Sequence, residues 1–299
     1  MATGSEPITE VRREDGVDLD LRSTLELVEL INAEDATVAS AVGAVARELA
    51  SAIDAIAERL AGGGRLVYAG AGSSGRLAVV DATEVVPTFG APPGQVVALV
   101  AGGPHAIATA QEAAEDDEAA GVADVAALGL GPSDAVVALS ASGGTPYALG
   151  AARAAADAGA LTVAVVCVEG SELGRLVEHE LVAVTGPEVI AGSTRMKAGT
   201  AQKLILNTIS TVAMVRLGKT YGNLMVDVVA TNAKLRGRVR RAIALATGAS
   251  ADEVESALDA SSGEAKVAIV SLLAGVDAEA ARARLREAGG AVRGALAPR

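Results

Sequence analysis

Two kinds of residue in this chain are equipped for chemistry: isolated carboxylates in apolar surroundings, and hydroxyls clustered with glycines. Glu84 stands among Val79, Val80, Val85 and Val86, just before Pro87. That setting predicts a buried carboxyl whose pKa is raised, fit to hold or deliver a proton near neutral pH. Glu112, Glu115 and Asp116 are spaced i, i+3 and i+4, which on a helix puts them on one face; taken alone, such a stripe reads as a solvated face. Gly70-Ala71-Gly72-Ser73-Ser74-Gly75 follows an apolar run and leads into a helical pattern. Ser140-Ala141-Ser142-Gly143-Gly144-Thr145 does the same, with Pro146 in the first turn of the next helix. A strand, a glycine loop and a helix start form an anion cradle, because unpaired helix N-terminal N–H groups point into the loop. One such loop is balanced by the ordinary reading of a serine N-cap. Two at corresponding ends of neighbouring strands point to a phosphosugar-sized ligand.

The first loop also fits G-x-G-x-x-G through Gly70, Gly72 and Gly75. The dinucleotide reading needs an acid at the end of the next strand to bind the ribose hydroxyls. Here that strand, Val96–Val100, ends in Ala101-Gly102-Gly103, with no carboxylate. A nicotinamide dehydrogenase is therefore disfavoured.

The bulk composition excludes further classes. The net charge is −12, and the chain has three tyrosines, one phenylalanine and no tryptophan. Nucleic acid, which requires a basic face and stacking platforms, is not an expected partner. The single Cys167 excludes an intramolecular disulfide and a multi-cysteine metal site, and it reads as a buried hydrophobe at a strand end. No run of 18 apolar residues marks a membrane span, and the N-terminal residues lack the apolar core of a signal peptide. The expectation is a soluble, cytoplasmic protein, with no membrane partner, that holds a small anion by local dipoles and hydroxyls.

These groups must be positioned by an α/β core. Short apolar runs near 65–69, 96–100, 135–139, 161–167 and 180–184 alternate with helical segments near 74–85, 104–121, 145–159 and 171–178. Continuous apolar runs are the mark of strands buried on both faces. They predict a doubly wound parallel sheet of five strands, an α/β/α sandwich, whose ligand lies outside the carboxyl ends of the strands. Residues 1–22 read as a polar arm. Ser23 and Glu26 form a capping-box pattern, Asn32 reads as a second cap, and one long amphipathic helix is predicted over 33–60. After Gly186 the pattern is helical to about Thr247. Gly192-Ser193-Thr194 precedes a helix over 196–216 with Lys197 and Lys203 near its start, where the dipole disfavours cations; lysines that reach into solvent are the commoner reading, and a nearby anion or partner acid is the alternative. Three short helices near 251–260, 264–274 and 277–288 and a frayed tail beyond Gly289 complete the chain. The predicted division is an N-terminal arm with helices (1–60), the α/β domain with its following helices (61–247) and a small three-helix bundle (248–299).

Several stretches resemble, in order and with similar spacing, the motifs of the N-acetylmuramic acid 6-phosphate etherases: GAGSSGRL, DATEVVPTFG, AEDD, ASGGTPY, GPEVIAGSTRMKAGTAQK and KTYGNLMVDVVATNAKL. The similarity runs from about Thr9 to the C-terminus. The core resembles a sugar isomerase (SIS) domain, and the last helices resemble the family's small C-terminal bundle. The resemblance implies a carbon–oxygen lyase that releases D-lactate from the C3 ether of N-acetylmuramic acid 6-phosphate, without a metal or other cofactor, in recycling of cell-wall sugar. Carried over by position, it implies catalytic roles for Glu84, as the acid on the leaving group, and for Glu115; the acidity of the C2 proton beside an open-chain aldehyde makes Glu115 the candidate base, with one carboxyl serving both steps as the alternative. It also implies phosphate binding by Ser73, Ser74, Ser140, Ser142 and Thr145, and a homodimer. One position departs from the family: the second loop, often ASGRTPY, carries Gly144 in place of the arginine, which leaves Arg76, Arg195 and Lys197 as the candidates for supplying the charge. His105 follows the second strand and is a candidate for assisting ring opening; His179 reads as exposed. The competing readings are a phosphosugar-sensing regulator resembling glucokinase regulatory protein, which carries two tandem SIS units where this chain has room for one, and a phosphosugar isomerase.

Overall fold

The computed structural model describes residues 7–13, 18–228 and 232–298. Three helices precede the sheet: α1 (Thr24–Asp35), α2 (Val38–Ala44) and α3 (Ala46–Ala61). The Ser23–Glu26 capping box forms at the start of α1. The single long helix predicted over 33–60 does not form, and Asn32 lies inside α1 rather than capping a second helix. The breaks are local: the Thr37 hydroxyl donates to the Glu34 carbonyl at 2.7 Å, competing with the helical ladder, and the Val45 N–H closes a tighter turn on Val42.

The core then alternates as β1 (Leu66–Gly70), α4 (Gly72–Phe89), β2 (Val96–Val100), α5 (His105–Ala108), α6 (Glu118–Ala127), β3 (Ala135–Leu139), α7 (Pro146–Asp157), β4 (Leu161–Val166) and β5 (His179–Val182). All five strands pair in parallel, in the order β2-β1-β3-β4-β5. This is the doubly wound sheet expected from the apolar runs. Its strand order reverses between β1 and β3, and ligands of open α/β sheets bind where the order reverses. Val67, Ala69 and Val136 meet Val125 of α6 and Ala151 and Ala155 of α7 on one face. Tyr68 alternates to the opposite face, where its hydroxyl donates to Asp81 of α4 at 2.9 Å. Asp134, at the base of β3, accepts from the Arg65 backbone and guanidinium and ties the N-terminal ends of β1 and β3 together.

Two predicted helices shorten. The one expected over 104–121 divides into α5, a 3-10 turn over Glu112–Asp116, and α6, because Thr109 is extended and Asp117 caps α6 by accepting from the Ala120 N–H. Glu115 therefore sits on a turn, not on a helix face. The helix expected over 171–178 reduces to a 3-10 turn at Gly174–Leu176, with the Gly174 N–H donating to Ser171. Alanine-rich segments carry little periodicity, so helix lengths there were overestimated.

Beyond the sheet lie α8 (Lys197–Arg216), a hairpin of β6 (Thr220–Tyr221) and β7 (Leu224–Met225), then α9 (Ala233–Thr247), α10 (Ala251–Ala260), α11 (Ala265–Ala274), α12 (Ala278–Glu287) and α13 (Val292–Ala295). The hairpin, turning through Gly222-Asn223, interrupts the helical stretch expected up to Thr247. The three helices predicted after Ser250 form, with the Ser250–Glu253 capping box. The tail is not frayed over its described length: Val292 and Ala295 are buried. The chain forms two compact units, residues 1–82 with 95–209 and residues 83–94 with 210–299. The second has its own core, in which Val226, Val239 and Ile243 pack with Val254, Ile269 and Leu285.

Among the described residues no single helix is long and apolar enough to cross a membrane. Cys167 is buried, and burial pushes its thiol up to about 12, so it is no nucleophile at neutral pH.

Helices α6 and α7 approach closely enough that side chains are excluded at their crossing. A Cβ at Gly121 would lie 2.1 Å from the Tyr147 carbonyl oxygen, and one at Gly150 would lie 2.2 Å from that of Glu118. Neither contact is with a flexible side-chain end. Gly121→Ala is therefore expected to destabilise the protein by about 1–3 kcal/mol, read as a lower denaturation midpoint at unchanged slope.

Candidate active site

The register of the central strands builds the site. Gly70 at the end of β1 is paired with Leu139 at the end of β3, so the two hydroxyl–glycine loops emerge side by side. They line one crevice of about 360 Å³, into which the first turn of α4 and the Thr145 N-cap of α7 open. Gly75 allows α4 to start this close to β1: a Cβ there would lie 2.5 Å from the Gly70 carbonyl oxygen. Gly143, at φ +66°, takes a left-handed turn, and its Cβ would lie 2.3 Å from that of Ser171. Both donor-rich loops thus depend on glycine at a named position.

The hydroxyls are not equivalent. Ser73, Ser74, Ser142 and Thr145 line the crevice. Ser140 is buried beneath it, its hydroxyl 2.8 Å from Thr145 Oγ1 and 3.4 Å from Ser142 Oγ. Ser140 therefore acts on the loop rather than at the surface of the crevice. Ser74 Oγ donates to Gln202 Oε1 of α8 at 2.9 Å, and Gln202 is almost wholly buried. Gln202 orients the first loop, a role with no signal in the sequence beyond its position in a motif.

The acids separate. Glu115 lines the crevice, exposed, and its Oε1 accepts from Thr145 Oγ1 at 3.1 Å. One carboxylate is thereby tied to the hydroxyl cradle by the same threonine that caps α7. Glu112 lies on the same turn and also lines the crevice. Glu84 contradicts the expectation of burial. It is exposed, ten residues along α4 from Ser74, and does not line the crevice. Its apolar neighbours divide: Val85 is buried, whereas Val80 is exposed like Glu84 itself. The helix turns the carboxylate away from the core. Nor does His105, exposed at the start of α5, line the crevice.

Two guanidiniums serve the crevice. Arg76 lies on the first turns of α4, with its Nε donating to the Ala106 carbonyl at 2.9 Å, and Arg195 follows Ser193 and Thr194 on the loop before α8. Gly144 is exposed, and a Cβ there would make only an ordinary contact with Ser142 Oγ at 3.9 Å, so no steric demand explains the glycine there. Lys197 is not available to an anion, because its buried Nζ pairs with Glu34 Oε2 at 2.6 Å. Lys197 thus has a partner acid rather than reaching into solvent, whereas Lys203 is exposed. The α8 N-terminus is capped by Glu188, wholly buried, which accepts from the Lys197 and Ala198 N–H groups at 3.0 Å. Glu188 was not singled out from the sequence; a buried acid nine residues before a helix start leaves no local pattern.

The sheet and its paired hydroxyl loops define an SIS domain. A family model described as "Glucokinase regulatory protein N-terminal SIS domain" matches residues 48–156. Over its length the chain is 58% identical to an N-acetylmuramic acid 6-phosphate etherase of Rubrobacter xylanophilus, covering 97% of this chain and 96% of that one. It is 51% identical to one of Deinococcus radiodurans, covering 96% and 94%. Among solved structures, a phosphoheptose isomerase from Francisella tularensis shares the fold with a TM-score of 0.52, at 20% identity over 65% of this chain and all of that one. The chain belongs to the N-acetylmuramic acid 6-phosphate etherase family.

Thr145 joins the cradle to the acid, so its removal is informative. Thr145→Val keeps the shape but deletes the donor to Glu115 and the contact with Ser140. Binding of inorganic phosphate, followed by calorimetry, is expected to weaken roughly tenfold, the order of one hydrogen bond to a charged group.

Proposed function

We infer that this protein is a carbon–oxygen lyase that cleaves the D-lactyl ether of N-acetylmuramic acid 6-phosphate to N-acetylglucosamine 6-phosphate and D-lactate. The observation that carries the reading is the full-length identity of 58% with a relative of that name. The paired hydroxyl loops, with Glu115 hydrogen-bonded to one of them, are consistent with it. Ser73, Ser74, Ser142 and Thr145 bind the phosphate, with Ser140 holding Thr145 and Ser142 in place; Arg76 and Arg195 supply the positive charge that Gly144 does not.

With the sugar in its open-chain form, the C1 aldehyde acidifies the C2 proton. Glu115 takes that proton. The C2–H electron pair becomes the C2=C3 double bond, the C3–O bond breaks, and the lactyl oxygen leaves with a proton from an acid. Water then adds at C3 of the unsaturated aldehyde and a proton returns to C2. Glu84 is the acid. It is exposed and outside the crevice of its own chain, so it serves from a second copy, and the working enzyme is a cytoplasmic homodimer with two shared sites.

This makes a sharp test. Glu84→Gln and Glu115→Gln variants should each be nearly inactive in D-lactate release. Co-refolded in equal amounts, they should recover about one quarter of wild-type activity, since half of a random population of dimers is mixed and each mixed dimer holds one intact site. In deuterated water the product should carry deuterium at C2. No recovery on mixing would place both acids in one chain, and no lactate from the wild-type protein would overturn the lyase reading.

A further inference from the structure

The N-terminal segment reads as a polar arm in the sequence, yet one of its described residues is built into the crevice. Glu10 lines the crevice alongside both hydroxyl loops. It is fixed from both sides. Before it, Thr9 is completely buried, and the Glu10 N–H closes a turn on the Pro7 carbonyl at 2.8 Å. After it, Arg13 pairs with Glu34 at 2.5 Å, and Glu34 also holds Lys197, the first residue of α8. The Arg13 and Lys197 contacts keep the Glu34 carboxyl below the usual range. The segment is thus anchored to the same stretch of chain that carries Arg195.

The carboxylate itself has no hydrogen-bond or ion-pair partner among the described residues. Its Oε2 lies where a side chain at Gly192 would begin, 2.8 Å from the position of a Cβ there. Glu10 and the Gly192 turn thus lie side by side on the crevice wall.

A carboxylate beside a phosphate cradle is unfavourable unless it binds something. The crevice is lined by three carboxylates, Glu10, Glu112 and Glu115, against two guanidiniums, Arg76 and Arg195. An anionic ligand gains nothing from Glu10 at its phosphate end. A carboxylate without a partner is an acceptor with several vacant lone-pair sites, and a sugar offers it hydroxyl and amide donors away from the phosphate.

We propose that Glu10 is a substrate-binding residue that accepts hydrogen bonds from the hydroxyl or amide N–H groups of the sugar, so that the N-terminal segment forms one wall of the site. The substrate class follows the reading above, on which this inference rests. Glu10 distinguishes a sugar phosphate from a bare phosphate, whereas the hydroxyl loops bind both.

The test compares Glu10→Ala and Glu10→Gln in the full chain, with two ligands measured separately. N-acetylglucosamine 6-phosphate should bind Glu10→Ala about ten- to a hundredfold more weakly than wild type, the cost of losing hydrogen bonds to a charged acceptor. Inorganic phosphate should bind within about twofold of wild type, since the cradle is untouched. Glu10→Gln keeps a carbonyl acceptor and should recover most of the loss. In turnover of N-acetylmuramic acid 6-phosphate, KM should rise more than kcat falls, with the shape of the pH profile unchanged. Equal weakening of both ligands would overturn the proposal, because it would mark Glu10 as a structural support of the cradle. Wild-type affinity for the sugar phosphate in Glu10→Ala would overturn it as well. Binding of the product sugar phosphate does not require catalysis, so a wild-type protein that binds it without releasing lactate would count against the lyase reading and leave the comparison for Glu10 intact.

Discussion

The parallel pairing of β1 with β3 is the constraint on which the rest depends. Because the two strands run side by side in register to Gly70 and Leu139, the chain must leave both at the same height and begin two helices there. Each helix start brings N–H groups without intrahelical partners, and the intervening residues bring hydroxyls. Any shift of register would separate Ser73 and Ser74 from Ser142 and Thr145. The Arg65–Asp134 contact at the opposite ends of the same strands resists such a shift. So do the glycines that admit close approach, Gly75 at the start of α4 and Gly143 in the second loop. On the proposed reading, phosphate binding at this edge follows from sheet order, refined by side chains, rather than from a strongly basic surface. On that reading a chain of net charge −12 would hold its anion with oriented dipoles and, among the described lining residues, the guanidiniums of Arg76 and Arg195.

The same crevice gathers acids as well as donors, and one residue links the two. Thr145 serves both: its hydroxyl contacts the buried Ser140 and donates to Glu115. A carboxylate placed by the cradle can act on carbons a fixed distance from a bound phosphate. Glu84 does not line the crevice and has no such tether among the described residues. On the proposed reading it completes the site of another copy, which makes assembly a condition of catalysis rather than an accident of packing.

Much of the sheet was legible because its strands are buried on both faces and read as uninterrupted apolar runs. Leu66–Gly70, Ala135–Leu139 and Leu161–Val166 are fully buried, and their places in the sequence were plain. The hydroxyl loops were legible for a local reason also, since glycine and serine cluster at strand ends. The failures have equally physical causes. Alanine marks no face, so the segment from His105 to Ala127 gave no sign that Thr109 and Asp117 would break it into three pieces. Valines around Glu84 implied burial, but a helix points successive side chains about 100° apart, and Glu84 shares its exposed face with Val80. Glu10, Glu188, Lys197 and Gln202 acquire their roles only from tertiary contacts, such as the Arg13–Glu34–Lys197 cluster that joins the N-terminal segment to α8.

The central claim is that the paired loops at the ends of β1 and β3 form the phosphate site. A crystal structure of the protein with N-acetylglucosamine 6-phosphate tests it most directly. The account predicts phosphorus between the two loops, its oxygens within hydrogen-bond distance of Ser74, Ser142 and Thr145, with the sugar directed towards Glu115 and Glu10. The second unit offers a rival, a cleft of about 690 Å³ lined by Lys266, Arg282 and Arg286. The phosphate found in that cleft, with the two loops empty, would contradict the account.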